Sequence, residues 1–319
     1  MLTLMVKMTV LASGSRGNST VVSSSRTRIL VDAGMSCREI FKRMAAAGED
    51  PRTLDAILIT HEHQDHVQGL AVTARKLGIP VYFTEPTHRA WMRWMTPRKR
   101  MTYADWLAAR QAVQEASAAA PANPDIDGRE AFEEEREELA PNPVTEVKAD
   151  PCALPAVEYF SSGEGFCVGD IAVTPFTIPH DATDPVGFIF EAEGVRVGLA
   201  TDLGYMPPNV KRHLKRCDVL MLESNHDLDM LRDGPYPWSV KQRVMSRVGH
   251  LSNMAAAEFL ESEYDGGAAY VVLAHLSENN NLPELARVAA ERALGDRMSL
   301  LANKLLLATQ DRPLESIVL

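Results

Sequence analysis

Thr60-His61-Glu62-His63-Gln64-Asp65-His66 is the stretch that decides how this chain is organised. It follows the apolar run 54–59, whose short length and β-branched residues predict a buried strand. Three imidazoles and a carboxylate within six residues are typical of a metal site rather than of a solvated loop. His61 and His63 alternate along an extended chain, so they would bind one ion. Asp65 and His66 lie beyond a turn and would bind a second ion nearby.

The composition is that of a soluble globular protein with one large domain or two. The chain has 319 residues, of which 45% are hydrophobic and 24% are charged. No apolar run is long enough to span a bilayer, and residues 1–11 lack the basic start of a signal peptide. The four cysteines include no C-x-x-C pair, which argues against a disulfide framework and a thiolate zinc site. We therefore expect a cytoplasmic protein with no membrane partner.

The net charge of −10 argues at first against a nucleic-acid partner. However, residues 121–150 hold ten acidic and three basic residues, so the rest of the chain carries 33 acidic against 30 basic residues. Basic clusters at 89–100, 211–216 and 241–247 are either solvated helix faces or phosphate contacts. The overall charge therefore excludes no class of partner.

Strand-like and helix-like segments alternate along the chain except between residues 96 and 156. There, predicted helices at 103–119 and 129–139 are separated by proline-rich segments, which predicts a partly helical acidic insertion. We expect a single domain, 1–319, that contains this 96–156 insertion. The insertion carries no catalytic constellation, and its role as a lid, an oligomer contact or an idle excursion is open. A homo-oligomer is therefore one of the alternatives.

A recurrent feature is a predicted strand whose end carries a histidine or a carboxylate. Ligand sites in open sheets gather at the carboxyl ends of strands, so these residues are expected to meet. The six residues concerned are Asp32, His61, His180, Asp202, Glu223 and His275. Asp32 is expected to orient a metal-binding histidine through the free ring N–H of that histidine.

The glycine-containing loop 13–19 either cradles a phosphate or is an ordinary turn. It is not a Walker A loop, because no Gly-Lys-Ser/Thr sequence follows it. Five polar residues in this and later loops are candidates to bind the phosphates of a substrate. They are Ser15, Asn18, His226, Ser277 and Asn279.

The sequence resembles the metallo-β-lactamase superfamily, whose hallmark is His-x-His-x-Asp-His after a strand. This resemblance implies an α/β fold, a four-layer αββα sandwich, and it covers the chain apart from 96–156. It also implies two divalent metal ions. One ion would be bound by His61, His63 and His180, and the other by Asp65, His66 and His275, with Asp202 bridging the two ions.

Further motifs resemble the YycJ (WalJ) family of bacterial metallohydrolases. They include Ser-Gly-Ser-x-Gly-Asn near the start, Leu222-Glu223-Ser224-Asn225-His226 and Gly249-His250-Leu251-Ser252-Asn253. That family is associated with 5′-to-3′ DNA exonuclease activity. The closing half is also similar to RNase Z, in which residues at the positions of Glu223 and His250 form a proton-donating pair.

These resemblances imply a phosphodiesterase in which two ions supply a hydroxide, with Asp65 at the centre of the reaction. His250, oriented by Glu223, would protonate the departing sugar oxygen. The ligand set, which lacks cysteine, suits zinc or manganese. DNA is favoured over RNA as the substrate. The alternatives are an RNA-processing nuclease, a small-molecule (thio)ester hydrolase on the same site, and a non-catalytic regulatory protein that binds DNA or a partner.

Overall fold

The structure of the protein is a computed structural model that describes residues 5–96, 107–108, 110–111, 150–295 and 304–319. The chain divides into two compact units, Met1–Met95 with Pro151–Leu319, and Thr96–Asp150. Within the second unit, residues 107–108 and 110–111 are helical. The predicted helices at 103–119 and 129–139 otherwise lie outside the described residues. The prediction of one domain with a 96–156 insertion stays a prediction.

The first unit contains two mixed β-sheets of seven described strands each. The strands of the first sheet are β1 (Lys7–Ala12), β2 (Ser19–Ser23), β3 (Arg28–Val31), β4 (Ala56–Leu58), β5 (Val81–Phe83), β6 (Val157–Tyr159) and β14 (Ile317–Val318), in the order β14-β1-β2-β3-β4-β5-β6. Those of the second sheet are β7 (Phe166–Val168), β8 (Ile171–Thr177), β9 (Val186–Ala192), β10 (Val195–Ala200), β11 (Val219–Glu223), β12 (Tyr270–Ala274) and β13 (Lys304–Leu307), in the order β13-β12-β11-β10-β9-β8-β7.

Helices cover the outer face of each sheet. They are α1 (Cys37–Ala46), α2 (Gln64–Val67), α3 (Leu70–Leu77), α4 (Glu85–Met95), α5 (Pro208–His213), α6 (Leu228–Asp233), α7 (Trp238–Val244), α8 (Asn253–Ser262) and α9 (Pro283–Leu294). One buried cluster of apolar side chains lies between the two sheets and includes Val10, Phe188 and Met221. A second cluster joins the first sheet to its helices, and a third joins the second sheet to its helices. The molecule is thus the predicted αββα sandwich.

Parallel strand pairing brings the predicted site residues to one edge of each sheet. In the first sheet β3 and β4 are parallel, so their carboxyl ends lie side by side. In the second sheet β10, β11 and β12 are parallel, with Ala200 paired to Leu222 and Glu223 paired to Ala274. The amide of Val186 in β9 donates to the carbonyl oxygen of Thr60 at 3.1 Å, which ties the second sheet to the metal-ligand loop of the first.

Some elements differ from the sequence predictions. The helices α6 and α7 were not predicted, because each has fewer than eight residues and no clear apolar periodicity. After the His61–His66 loop, α2 ends at Val67 and α3 begins at Leu70. Strands β9 and β10 form an antiparallel hairpin. No helix among the described residues is long and apolar enough to cross a membrane.

Candidate metal centre

Nine histidine and carboxylate side chains converge where strands of the two sheets end. They fall into four overlapping groups, in each of which the candidate ligand atoms lie within 4.8 Å of one another. The groups are His61 with His63 and His180; Asp65 with His66 and His275; His61 with His66 and Asp202; and Asp202 with Glu223, His250 and His275. Asp202 belongs to two of the groups, and its neighbours there include His61, which is predicted to bind one ion, and His66 and His275, which are predicted to bind the other.

The three histidines of the first group face one another through ring nitrogens. Nδ1 of His63 lies 3.2 Å from Nε2 of His180. Two nitrogens that share a tetrahedral zinc ion at 2.0–2.1 Å would lie about 3.3 Å apart, so the spacing fits a common ion. The other nitrogen of His180, Nδ1, donates to the carbonyl oxygen of Gly249 at 3.2 Å, which leaves Nε2 as the ligand atom.

The second group combines a carboxylate with two histidines. Asp65 Oδ2 lies 3.5 Å from His66 Nε2 and 3.7 Å from His275 Nε2. Asp202 Oδ2 also lies 3.5 Å from His66 Nε2. These atoms are too far apart for strong direct hydrogen bonds but are close enough to share a cation. The group adds negative charge to the donor set, as a divalent ion requires.

Several of these ligand atoms are buried and have no hydrogen-bond partner among the residues that the structure describes. They are His61 Nε2, Asp202 Oδ2 and His275 Nε2. A buried polar atom without a partner costs roughly 1–3 kcal/mol, so three of them in one cluster need an explanation. A pair of cations bound between these atoms would satisfy all three. The residues present therefore fit the divalent metals that the sequence implies.

Asp32 and Thr60 hold the first-sheet histidines in place. Asp32 Oδ2 accepts a hydrogen bond from His66 Nδ1 at 2.8 Å, while Asp32 Oδ1 accepts one from the Thr60 amide at 2.9 Å. The Thr60 hydroxyl lies 3.1 Å from Nδ1 of both His61 and His66. Nδ1 of each ring is therefore engaged, which directs Nε2 toward the centre. Asp32 has the predicted position beside a ligand histidine.

Glu223 is shared by a predicted ligand and the predicted proton donor. Its Oε1 accepts hydrogen bonds from His250 Nδ1 at 2.8 Å and from His275 Nδ1 at 2.9 Å. Its Oε2 accepts from the amides of Leu203 and Leu251. Burial alone would raise the pKa of Glu223, but the facing imidazoles outweigh it and lower the pKa to about 2. Because the carboxylate is ionised, both rings must donate from Nδ1.

The electrostatic field of the cluster favours positive charge. Burial lowers the pKa of His66, yet the carboxylates of Asp32, Asp65 and Asp202 outweigh this and raise the pKa well above its usual value. For His275, burial is likewise outweighed by Asp202, Asp65 and Glu223, and its pKa is raised well above the usual value. In the absence of ions, protons would compensate these carboxylates. A bound cation would take the place of those protons.

Three of the predicted residues adopt strained backbone conformations. Their φ angles lie in the left-handed region, which residues other than glycine rarely adopt. The angles are 60° at Asp32, 61° at Asp202 and 55° at His275. Each of them follows a strand, at the point where the chain turns into the site. Such strain costs about 1–3 kcal/mol per residue and is concentrated at functional sites.

Two glycines allow the close approach of backbone segments at the site. A Cβ atom on Gly34 would lie 1.7 Å from the carbonyl oxygen of Asp65. A Cβ atom on Gly249 would lie 2.2 Å from the carbonyl oxygen of Val244. The first contact positions the His61–His66 loop, and the second positions the backbone that precedes His250.

The five predicted phosphate-binding residues have different environments. Ser15 and Asn279 are exposed, Ser277 is half-buried, and Asn18 and His226 are buried. The Asn18 amide nitrogen lies 3.0 Å from His66 Nε2 and 3.2 Å from Asp65 Oδ2, so this side chain is engaged within the ligand loop. The Nδ1 atom of His226 has no hydrogen-bond partner. Phosphate binding by these five residues stays a prediction.

Sequence reasoning missed residues that support the ligands from behind. Besides Thr60, they include Ser13, whose hydroxyl accepts a hydrogen bond from the His275 amide at 2.9 Å. They also include Asn225, whose side-chain amide donates to the His275 carbonyl oxygen at 2.8 Å. Both lie in motifs that were noted for other reasons, and nothing in the local pattern indicates these contacts.

The comparison with known proteins agrees with this geometry. The sequence matches the metallo-beta-lactamase superfamily over residues 12–275, a range that contains every residue of the four groups. The chain belongs to the metallo-β-lactamase superfamily. Within this superfamily it is 33% identical to exodeoxyribonuclease YycJ of Bacillus anthracis, over 288 residues that cover 90% of this chain and 89% of the relative. The resemblance to the YycJ (WalJ) family is confirmed.

Two further matches support the superfamily assignment. The crystal structure of the metallo-β-lactamase fold protein YhfI from Bacillus subtilis superposes with a TM-score of 0.59 at 14% identity, covering 98% of this chain and 99% of that one, which shows the shared fold. A shorter match to ribonuclease Z of Mycobacterium sp. (strain KMS) is 40% identical over 73 residues, 21% of this chain and 25% of the relative. The partial similarity to RNase Z is thus confirmed.

Proposed function

We propose that this protein is a metal-dependent nuclease that hydrolyses phosphodiester bonds in DNA, and that it acts as a 5′-to-3′ exonuclease. The chain is similar to exodeoxyribonuclease YycJ over nearly its whole length. It also brings together the histidines and carboxylates that a dinuclear hydrolase needs. The reaction class follows from this donor set together with the proton donor beside it.

In the proposed site, His61, His63 and His180 would hold one divalent ion, and Asp65, His66 and His275 the other. Asp202 lies within reach of both sets and would bridge the ions. When bound, two such cations activate water and stabilise the charge of the transferred phosphoryl group. We expect zinc or manganese, because the ligand atoms are imidazole nitrogens and carboxylate oxygens without thiolate.

The observation that carries the proposal is the Glu223 carboxylate, which joins His250 to the metal-ligand set. Its Oε1 accepts hydrogen bonds from His250 Nδ1 and His275 Nδ1, 2.8 Å and 2.9 Å away. Glu223 thereby fixes the His250 ring and stabilises it when it is protonated. The half-exposed ring can then give its Nε2 proton to a departing sugar oxygen. Hydrolysis of a thioester has less need of such a donor, because a thiolate leaves readily without a proton.

An RNA-processing activity is the second candidate function. The partial match to ribonuclease Z favours it, because that match is specific to a nuclease of the same superfamily. The two candidates share the metal centre and the Glu223–His250 pair, so they differ only in which nucleic acid is bound. A cytoplasmic location and a homo-oligomeric state stay predictions.

Digestion of end-labelled oligonucleotides tests the proposal. Purified protein is incubated with Mn²⁺ or Zn²⁺ and with single- and double-stranded DNA and RNA of one sequence, labelled at either the 5′ or the 3′ end. The proposal predicts release of the 5′ label as mononucleotide from DNA and slower cleavage of RNA. Cleavage of RNA alone would favour the second candidate, and the absence of any metal-dependent cleavage would exclude both.

A further inference from the structure

Residues 234–250, which we call the strap, form a basic and aromatic segment in an acidic protein. The whole chain contains 43 acidic residues in 319, yet none occurs between Asp233 and Glu258. The strap contributes Lys241, Arg243 and Arg247, together with the aromatic residues Tyr236 and Trp238. A segment with this composition is suited to an anionic, aromatic ligand.

The strap is fixed against the metal centre at several points. The His250 amide donates to the Val244 carbonyl oxygen at 2.9 Å, so the end of α7 positions the predicted proton donor. The Gly249 carbonyl oxygen accepts from Nδ1 of His180 at 3.2 Å. At the other end of the strap, the Tyr236 hydroxyl accepts from Asn279 Nδ2, in the loop that follows His275. The strap therefore borders the entrance to the site rather than a remote surface.

The strap presents an aromatic side chain and two arginines to solvent, and proteins use side chains of these types to bind single-stranded nucleic acids. Trp238 is 62% exposed, although tryptophan is normally well buried. Arg243 donates from Nε to Asp181, the neighbour of His180, while most of its guanidinium remains exposed. Arg247 stacks over the ring of Tyr205 at 4.4 Å and forms no ion pair with any of the described residues. Exposed aromatic rings and arginines of this kind are the elements of stacking platforms for single strands.

We propose, on the basis of the nuclease function proposed above, that the strap binds a single-stranded segment of the DNA substrate. Trp238 stacks on an unpaired base, and Arg243 and Arg247 bind phosphates on either side of the segment that leads to His250. Trp238 and Arg243 are five residues apart on α7, which corresponds to about 7.5 Å along the helix axis.

The surface favours a single strand over a duplex and over a protein partner. A duplex conceals the faces of its bases, so a duplex would leave the Trp238 ring without a stacking partner. A protein partner would need an extended apolar patch. The strap exposes Val240, Met245 and Val248 besides Trp238, but the exposed Arg243 and Arg247 interrupt this apolar surface.

Binding of a cleavage-resistant phosphorothioate oligonucleotide to the metal-loaded protein tests the inference. Trp238→Ala is expected to weaken binding of single-stranded DNA about tenfold, and Trp238→Phe is expected to restore most of the affinity. Trp94→Ala is the matched control, because Trp94 is 56% exposed on α4 and lies outside the strap. Hydrolysis of bis(p-nitrophenyl) phosphate should be unchanged in all three variants, since this small substrate contacts neither Trp238 nor Trp94 when it is bound at the metal centre.

Salt dependence tests the arginine contacts separately. For Arg247→Gln, the slope of log affinity against log salt concentration should fall by about 0.7, the value for one lost phosphate contact on a single strand. Arg38→Gln removes an exposed charge from α1 and should leave the slope unchanged.

Three outcomes would overturn the inference. The first is equal affinity of Trp238→Ala and wild type in an enzyme that cleaves DNA, and this would leave the proposed nuclease function intact. The second is tighter binding of single-stranded RNA than of DNA, which would refute the DNA assignment. The third is a wild-type protein that hydrolyses no DNA with either metal, which would refute the proposed function together with the inference.

Discussion

Two buried carboxylates, one from each sheet, support the candidate metal centre. They differ in the number of histidine rings from which they accept hydrogen bonds. Asp32 follows β3 in the first sheet and accepts a hydrogen bond from one ligand histidine, His66. Glu223 ends β11 in the second sheet and accepts from His275 and His250 with the same oxygen atom. The first carboxylate serves ligand orientation alone. The second also joins ligand orientation to proton donation.

The pKa values of the two carboxyl groups reflect this difference. Burial is the largest influence on Asp32 and raises its pKa, even though His66 and Thr60 oppose the shift. Glu223 is equally buried, but its two imidazole partners outweigh the effect of burial and lower its pKa to about 2. Under the proposed function, one side of the centre would hold ions, and ion binding and chemistry would meet at the other side. The predictions below test this division.

The largest expected effect is that of removing a side chain that the proposed centre uses as a metal ligand. Asp65→Ala and His63→Ala should each reduce metal-dependent phosphodiester cleavage to background, because each variant removes one donor of an ion. Circular dichroism and thermal unfolding of the metal-free protein should change little, because both side chains are only half-buried. Full nuclease activity in either variant would eliminate the proposed centre.

The second effect should distinguish proton donation from ion binding. His250→Ala is expected to lower kcat on DNA roughly 10²–10⁴-fold while leaving the number of bound ions unchanged. On bis(p-nitrophenyl) phosphate, whose leaving group needs no proton, the loss should be much smaller. A parallel loss on both substrates would assign His250 a structural role instead.

The third effect compares the two carboxylates directly. Asp32→Asn and Glu223→Gln should each weaken metal binding about 10–100-fold, because each replaces one of two acceptor oxygens by an NH₂ donor, while both oxygens of the carboxylate accept hydrogen bonds at the site. At saturating metal, Asp32→Asn should recover most of its activity, whereas Glu223→Gln should retain the kinetic defect of His250→Ala. Metal titration and measurement of kcat test this difference. Equal recovery of activity by the two variants at saturating metal would refute the division between the two sides.

The smallest expected effect concerns the packing of the first-sheet loop. Gly34→Ala should lower the free energy of unfolding by about 1–3 kcal/mol, because the new methyl group would collide with the Asp65 backbone. Gly165→Ala is the control, since the nearest atom to its Cβ would lie 3.7 Å away. Denaturant unfolding of the metal-free proteins measures both. Equal stabilities would mean that the loop yields easily and that Gly34 does not fix the position of Asp65.

Much of this architecture could be predicted from the sequence because it is encoded locally. The loop 60–66 concentrates its donors within one segment, and Asp202 and His275 each follow a recognisable apolar strand. The αββα sandwich itself was predicted from the resemblance to the metallo-β-lactamase superfamily. The role of His250 as a proton donor was predicted from the resemblance to RNase Z, because a single histidine just before a helix does not by itself indicate such a role.

The remainder depends on tertiary contacts that leave no periodic pattern. The Thr60 hydroxyl serves two imidazoles only because the Ile59–His61 backbone passes beside Asp32. The role of Gly34 depends on the approach of Asp65 from 31 residues along the chain. The strap was recognised only as a basic cluster at 241–247, because the exposure of Trp238 and the contact between Val244 and His250 cannot be read from composition.

A stoichiometric metal titration tests the central claim most directly. Metal-free protein is titrated with Mn²⁺ or Zn²⁺ while bound ions are counted and the release of a 5′-terminal label from DNA is followed. The account predicts that two ions bind per chain and that cleavage reaches its full rate only when the second ion is bound. Full cleavage by the metal-free protein, or a protein that binds no more than one ion at saturation, would contradict it.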